Sequence, residues 1–272
     1  MTKIAVFEKL NNDENQNIFD RFRKLLGKEY DCYYYRKDCE KPDLIVVFGG
    51  DGTILAAAPY AVSLNVPILA INTGTVGFLS GYELGDIDKC VADIKNKTFC
   101  VSERSALSVK INDKEYIALN DAVIERDRSI EGMTIVSKLS VYINEQVVYK
   151  LCADGVIVST PTGSTAYSLS AGGPIISPSA EVLAVTPINA HSLHSKPMII
   201  GKNENVTIML EKDNVATVFA DGKTIKNLTG ECVVKVGFSS LSVSFVRLDG
   251  YNFYKKLLEK LNNWSYVHNK EE

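Results

Sequence analysis

The stretch from Asp43 to Leu55 constrains the fold of this chain more than any other part of its sequence. Leu44 to Phe48 is a continuous apolar run rich in β-branched residues, which is typical of a strand buried on both faces of a parallel sheet. The run stops at Gly49-Gly50-Asp51-Gly52-Thr53, and a segment of helical composition follows. The pattern predicts a strand, a glycine-rich turn and a helix, with the Asp51 carboxylate at the carboxyl end of the strand.

The glycine-rich turn has features that suit a phosphorylated ligand. Glycine lets a backbone pass close to a ligand, and the free N–H groups and positive dipole end of a helix favour a phosphate. We expect Thr53 to cap the helix through its hydroxyl. The predicted phosphate-donor loop consists of Gly49, Gly50, Gly52 and Thr53. An ordinary strand-to-helix turn is the alternative, because Gly and Asp are common turn residues.

About the first hundred residues alternate between strand and helix patterns, as a doubly wound, mostly parallel sheet requires. Further apolar runs occur at Ile4 to Phe7, Tyr30 to Tyr35 and Pro67 to Ile71. The last of these ends in a second polar, glycine-punctuated loop, Gly74 to Leu79. Because sheets of this kind bind ligands at the carboxyl ends of their strands, both loops are predicted to lie near a site.

The pattern changes after about residue 100. Short β-rich runs separated by turn signals such as Asn112-Asp113, Asn144-Glu145 and Asp221-Gly222 predict an all-β, sandwich-like second domain. A final amphipathic helix, with Phe253, Leu257, Leu258, Leu261 and Trp264 on one face, is expected to return to the first domain. The predicted domains are therefore 1–100 plus 249–272, and 101–248.

Composition narrows the class of protein. The 272 residues are 46% hydrophobic with a net charge of −3, which gives no sign of a nucleic-acid or membrane surface. No apolar run approaches the roughly 20 residues of a membrane span, and the amino-terminal residues lack a signal-peptide pattern. Six scattered cysteines have no metal-ligand spacing. We expect a cytoplasmic protein with reduced thiols and no resident metal site.

A second informative stretch runs from Cys152 to Tyr167. Asp154 precedes a buried-type strand, and a turn dense in hydroxyl groups, including Thr162 and Thr165, follows that strand. Hydroxyls beside the flat face of Tyr167 suit a sugar and a purine edge. A Ser/Thr-rich surface loop is the alternative interpretation.

Asn120-Asp121 interrupts an apolar segment that runs from Ile117 to Ile124. Two polar residues within a strand cost free energy unless something pairs with them. We therefore predict a ligand or a partner side chain at this pair, with a turn as the alternative.

With these residues in place, the chain resembles the bacterial NAD kinases over nearly its whole length. The resemblance rests on Gly49 to Thr53, the Gly74 to Leu79 loop, Asn120-Asp121, Asp154-Gly155 and the run from Thr160 to Ser170. Gly-Gly-Asp-Gly-Thr alone is shared with diacylglycerol and sphingosine kinases. The run Thr-Pro-Thr-Gly-Ser-Thr-Ala-Tyr-Ser-Leu-Ser, together with the Asn-acidic pair, is far more specific.

The resemblance implies transfer of the ATP γ-phosphate to the 2′-hydroxyl of the adenosine ribose of NAD, with Asp51 as the catalytic base or orienting group. Mg²⁺ or another divalent cation is expected to arrive with ATP. The resemblance also implies a homodimer or homotetramer assembled through the β domain. The implied NAD-binding residues are Asp51, Gly52, Phe78, Asn120, Asp121, Cys152, Asp154, Thr162, Thr165, Ala166, Tyr167, Ser168, Leu169 and Ser170.

The sequence departs from the family pattern at several positions. Asp121 stands where many relatives have glutamate, and Asp221-Gly222-Lys223 falls where the family varies most. Cys152 and Lys196 stand where many relatives have arginine, and Lys150 is the candidate cation near Asp154. Two other functions remain open at this point: a lipid or sugar kinase sharing only the glycine motif, and an NAD-binding sensor without turnover. Polyphosphate as donor and NADH as acceptor are also open.

Overall fold

The computed structural model describes residues 1–8, 13–36, 38–74, 77–127, 137–212, 214–248 and 250–268, apart from the side chains of 8, 13–15 and 263–268. The chain separates into two compact units, one formed by 1–103 with 243–272 and the other by 104–242. The domain boundaries expected from the sequence, 1–100 plus 249–272 and 101–248, stay a prediction. None of the helices in the described residues is both long and apolar enough to cross a membrane.

The amino-terminal part of the first unit contains β1 (Thr2–Glu8), α1 (Asp13–Leu26), β2 (Tyr30–Tyr34), β3 (Leu44–Phe48), α2 (Asp51–Leu64), β4 (Ile68–Asn72), β5 (Tyr82–Glu83) and α3 (Ile87–Asn96). The following elements are β6 (Phe99–Ile111), β7 (Lys114–Ala118), β8 (Asp121–Arg126), β9 (Ser137–Ile143), β10 (Gln146–Ala153), β11 (Gly155–Ser159), α4 (Tyr167–Ser170), β12 (Val182–Ile188), β13 (Met198–Gly201), β14 (Val206–Leu210), β15 (Val215–Ala220), β16 (Lys223–Thr229), β17 (Cys232–Leu248) and α5 (Phe253–His268). Strands β6 and β17 carry the chain from one unit into the other.

The first unit is built on a parallel sheet with the strand order β2-β1-β3-β4. Val6 pairs with Val46 and Val46 pairs with Leu69, which places β3 at the centre. Strand β5 and the Phe245 end of β17 also pair in parallel with β4. All five residues of β3 are buried, as expected for a strand covered on both faces.

Helices cover both faces of this sheet. Helices α1 and α3 share one hydrophobic cluster with alternate strand residues such as Val46 and Leu69. The intervening strand residues, among them Val47 and Ala70, are equally buried, and α2 packs against β1, β3 and β4 on that side. The predicted doubly wound sheet is confirmed.

Helix α5 belongs to the first unit, as predicted. Asn252 Oδ1 accepts the backbone N–H groups of Tyr254 and Lys255, which caps the helix start. The expected apolar face is wrong at one position, since Leu258 is 60% exposed. The side chain of Trp264 lies outside the described residues.

The second unit is a sandwich of antiparallel strands, which confirms the predicted class. One sheet has the order β13-β12-β11-β8-β15-β16, and the strands β10-β9-β14-β17 pair side by side in the other, with β6 on β17 and β7 on β6. Residues from both sheets, such as Val158 and Ile208, share one core. Strand β11 is buried along its whole length, because the α4 segment packs on its outer face.

The strand predictions differ from the structure in two ways. The apolar run from Ile117 to Ile124 is two strands, β7 and β8, and the chain breaks direction at Leu119 and Asn120. Strands β12, β13 and β16 were not predicted, and the last two begin beside turn residues that obscure a strand pattern.

Candidate active site

Asp51 is the first residue of α2, immediately beyond the carboxyl end of β3. Gly49 has a φ of +153°, and a Cβ there would lie 2.5 Å from Thr53 Oγ1, so the turn requires glycine. The expected Thr53 cap is wrong. Gly50 is the N-cap, and no side chain of the described residues caps the helix start, because Thr53 lies within the first turn and is buried there.

The Asp51 carboxylate is held by the backbone of the second predicted loop. Oδ2 accepts the N–H of Phe78 and Oδ1 accepts the N–H of Leu79, each at 3.0 Å. Gly77 makes this approach possible, since a Cβ there would lie 2.5 Å from Asp51 Oδ1. Thr75 and Val76 of the same loop lie outside the described residues. The side chain of Asp51 is still 28% exposed, so the carboxylate is both fixed and accessible.

Helix α5 and the end of β17 bring cations to this loop. Lys260 Nζ lies 3.5 Å from Asp51 Oδ2 and 4.2 Å from the centre of the Phe78 ring. Lys256 Nζ donates to Ser80 O at 2.6 Å and to Ser80 Oγ at 2.9 Å. The buried Arg247 guanidinium donates to Leu79 O through Nη1. The loop that holds Asp51 is therefore tied to positively charged groups.

In the second unit, two of the predicted motifs lie side by side. Thr160 donates its hydroxyl to Leu119 O at 2.7 Å and its N–H to Asn120 O at 2.9 Å. A Cβ at Gly163 would lie 2.1 Å from Asn120 O, so only glycine fits beside this carbonyl. The β7–β8 break and the turn after β11 are thus joined by hydrogen bonds and close packing.

Asp221 organises the β7–β8 break. Its carboxylate accepts the backbone N–H groups of Leu119, Asn120 and Asp121 at 2.8, 2.7 and 3.3 Å. Burial raises the pKa of Asp221, while these three N–H groups and the Lys223 charge oppose that rise. Among the described residues, Asn120 Oδ1 is buried and has no hydrogen-bond partner. Such an atom is costly unless a ligand donates to it.

Asp121 is only 5% exposed. Burial, and secondly repulsion from Asp221, raises the pKa of Asp121 from 3.8 to about 7. This carboxyl group therefore changes its protonation state near neutral pH.

Asp154 is paired with two side chains of the second unit. Arg126 Nε donates to Asp154 Oδ1 at 2.7 Å, and Asn189 Nδ2 donates to Oδ2 at 3.0 Å. Lys150 and Cys152 are exposed on β10. Arg126, on the neighbouring strand β8, is thus a cation at Asp154 that the sequence analysis did not predict. Lys150 as a cation near Asp154 stays a prediction.

The predicted residues of the turn after β11 divide into buried and accessible groups. Thr165 and Ser168 are buried, and the Ser168 hydroxyl is hydrogen-bonded to Thr186 Oγ1 at 3.1 Å. The residues that remain partly or fully accessible are Thr162, Ala166, Tyr167, Leu169 and Ser170. Ser168 therefore supports the turn, whereas the second group is open to a ligand.

Comparison with known proteins decides the family. Residues 3–99 match the ATP-NAD kinase N-terminal domain and residues 119–248 match the ATP-NAD kinase C-terminal domain. The chain belongs to the NAD kinase family. The NAD kinase of Petrotoga mobilis is 35% identical over 270 residues, covering 95% of this chain and 97% of that protein. The NAD kinase of Ruminiclostridium cellulolyticum is 37% identical over 230 residues, covering 82% and 79%.

Solved structures agree with this assignment. An NAD kinase from Archaeoglobus fulgidus in complex with ATP has a TM-score of 0.74 at 26% identity, covering 90% of this chain and 93% of that one. Yeast NADH kinase complexed with NADH has a TM-score of 0.84 at 23% identity, covering 96% and 88%, and shares the fold.

Sequence reasoning missed several side chains that support the NAD kinase motifs. Asp221 was interpreted as part of a turn with Gly222, and no role was assigned to Lys256 or Lys260. The missed supporting residues are Arg126, Asp221, Arg247, Lys256 and Lys260. The one available signal was the Asp-Gly pair at 221–222, because an aspartate in a tight turn commonly accepts backbone N–H groups.

Proposed function

We propose that this NAD kinase phosphorylates the 2′-hydroxyl of the adenosine ribose of NAD with the γ-phosphate of ATP, forming NADP and ADP. The observation that carries the proposal is the Asp51 carboxylate at the start of α2, fixed by two backbone N–H groups and partly accessible. A fixed, ionisable group beside a helix amino terminus combines a proton acceptor with a site for phosphate.

In the proposed reaction, the ribose O2′ forms a bond to the γ-phosphorus while the bond from that phosphorus to the β–γ bridging oxygen breaks. ADP leaves with the bond electrons, and Asp51 accepts the hydroxyl proton directly or through a water. Phosphoryl transfer depends mainly on alignment and on neutralisation of charge. Gly49, Gly50 and Gly52 leave room for the phosphates, and the backbone N–H groups that begin α2 are the proposed donors. The Thr53 N–H is already donated to Gly50 O at 2.9 Å, so Thr53 is proposed to line this loop rather than to donate its N–H.

The second unit is proposed to bind the dinucleotide. Asn120 Oδ1, buried and without a partner among the described residues, is suited to a donor on NAD. Asp121 lies beside it at the start of β8, and Asp154 is oriented by Arg126 and Asn189. The accessible positions of the β11 turn, chiefly Thr162 and Tyr167, offer a hydroxyl and an aromatic face.

We propose that Mg²⁺ or another divalent cation arrives with ATP, coordinated by the triphosphate. Among the described residues, no group of three or more His, Cys, Asp or Glu side chains is placed to hold a metal ion. We further propose a cytoplasmic homodimer or homotetramer that assembles through the second unit.

A substrate panel tests the proposal. Purified protein is incubated with Mg·ATP and, separately, NAD, NADH, a diacylglycerol and a sugar, with polyphosphate replacing ATP in a parallel series. We expect NADP from NAD and ATP. Phosphorylation of the lipid or sugar without NADP would overturn the proposal. Binding of NAD without turnover would instead establish a sensor.

A further inference from the structure

The carboxy-terminal helix presents two lysines to the loop that holds Asp51. Lys256 and Lys260 are four residues apart, so they lie on the same face of α5. Lys256 is bound to Ser80 and lies 3.9 Å from Glu83. Its ammonium group is therefore occupied by the loop, and it fixes the helix next to that loop.

Lys260 differs from Lys256 in that its ammonium group donates no hydrogen bond to the described residues. Its described contacts are the Asp51 carboxylate at 3.5 Å and the Phe78 ring at 4.2 Å, and no hydrogen bond from it occurs among the described residues. An ammonium group has three donors. The Lys260 side chain is 20% exposed, so a ligand that reaches Asp51 can also reach this ammonium.

Asp51 does not depend on Lys260 for its orientation. Each carboxylate oxygen already accepts one backbone N–H, from Phe78 or from Leu79, at 3.0 Å. The separation of 3.5 Å between Nζ and Oδ2 is longer than a normal charged hydrogen bond of about 2.7–2.9 Å. Lys260 is therefore not needed to hold the Asp51 carboxylate in place.

We propose that Lys260 is a catalytic residue that donates hydrogen bonds to the phosphoryl group during its transfer. This inference rests on the proposed function, in which the attacking hydroxyl lies against Asp51. A hydroxyl bonded to Asp51 lies about 2.5–3.0 Å from its carboxylate, and the phosphorus it attacks is the next atom. The γ-phosphoryl oxygens then fall within reach of Nζ. In this role Lys260 donates hydrogen bonds and transfers no proton.

Charge explains why such a cation is useful. Electrostatic stabilisation of the transferring group is the main catalytic need in phosphoryl transfer, and a fixed donor costs no reorganisation. The Phe78 ring and the Asp51 carboxylate hold the ammonium in place before a donor binds. The carboxy-terminal helix thereby becomes part of the catalytic apparatus.

The test compares Lys260→Gln and Lys260→Arg with Lys255→Gln, which removes the same charge from an exposed position on the same helix. The kcat of Lys260→Gln for NADP formation should fall about 10²-fold or more, as when one oxyanion donor is lost. Lys260→Arg should recover part of this loss and Lys255→Gln should match the wild type. Melting temperatures establish that each variant is folded.

A second measurement separates direct contact from an effect through Asp51. In the Asp51→Asn background, the Asp51–Lys260 ion pair no longer exists. Adding Lys260→Gln should still raise the Kd for Mg·ATP by about tenfold, measured by calorimetry, because a charge-assisted hydrogen bond to phosphate is lost. An unchanged Kd would show that Lys260 acts only through Asp51 and would overturn the proposal.

Other outcomes are equally decisive. A wild-type kcat in Lys260→Gln would mean that the lysine is a solvated neighbour, and a higher kcat would mean that it masks Asp51. If Lys260→Gln failed to fold, Lys260→Arg would replace it. The kcat of Lys260→Arg and the Kd of the double variant Asp51→Asn/Lys260→Arg for Mg·ATP would then be the test. A wild-type protein that made no NADP would overturn the proposed function, whereas the calorimetric measurement would still report on the Lys260 contact.

Discussion

The Asp221 carboxylate accepts the backbone N–H of Asn120 at 2.7 Å, although the two residues are far apart in the chain. The same carboxylate accepts the N–H groups of Leu119 and Asp121. It therefore fixes the backbone that carries the proposed NAD-binding amide. The break between β7 and β8 is thus stabilised by Asp221, which follows the end of β15.

Asp221→Asn should weaken NAD binding more than it changes kcat. The amide offers one oxygen and an NH₂ group that would face backbone donors, so at least one charge-assisted hydrogen bond is lost, worth about 1.5–3 kcal/mol. Calorimetry with NAD measures the effect, and Glu231→Gln, an acid-to-amide change at an exposed position, is the control. An unchanged Kd for NAD would show that Asn120 is positioned without Asp221.

Stability should respond to the protonation of Asp121. An aspartate side chain ordinarily has a pKa of 3.8, which is the value for the unfolded state, and burial raises the pKa of Asp121 to about 7 in the folded protein. Between these values the folded state holds a proton that the unfolded state releases, so this group's contribution to stability falls as pH rises from 3.8 to about 7. Asp121→Asn removes that titration.

The measurement is the free energy of unfolding of the wild type and of Asp121→Asn, from denaturant titrations at about pH 5 and about pH 8. The wild type should lose stability relative to the variant over this interval. A constant difference between the two proteins would contradict the raised pKa.

Gly52→Ala should separate function from folding. Nothing lies within 4 Å of a Cβ at Gly52, and the residue is in the first turn of α2. Alanine in a helix is favoured over glycine by about 0.5–1 kcal/mol, so the melting temperature should stay the same or rise. If the phosphate donor passes close to this backbone, the KM for ATP should rise at the same time.

Gly163→Ala provides the contrast, because a Cβ there would lie 2.1 Å from Asn120 O and the turn must move. That variant should lose stability. Full activity in Gly52→Ala would show that the glycine motif is an ordinary turn at this position.

Lys256→Met should destabilise the first unit. The Lys256 side chain is 13% exposed, and burial lowers the pKa of its ammonium group. Loss of its two hydrogen bonds leaves Ser80 O without this donor, at a cost of about 1–3 kcal/mol. Denaturant unfolding measures the loss, with Lys255→Met as the exposed control. Equal stability of the two variants would mean that α5 does not anchor the loop.

The sequence predicted the architecture where local patterns and burial agree. The run from Leu44 to Phe48 is apolar throughout, and its five residues are buried in the central strand. The turn pairs Asn144-Glu145 and Asp221-Gly222 have the positive φ angles that such turns require.

Contacts between residues far apart in the chain were not predicted. Asp51 contacts Phe78 and Lys260, and Asp154 contacts Arg126, through the packing of strands and helices rather than through any local pattern. Thr53 illustrates the same limit, since its sequence position suits a cap, whereas the turn places the cap at Gly50.

The role of Asp51 is tested most directly by the rate of NADP formation from NAD and Mg·ATP, measured for the wild type and for Asp51→Asn. We expect NADP phosphorylated at the 2′-hydroxyl, and a kcat for Asp51→Asn that is lower by about 10²–10⁴-fold while the Kd for NAD is little changed. A kcat for Asp51→Asn near the wild-type value would show that Asp51 is only the residue that begins α2.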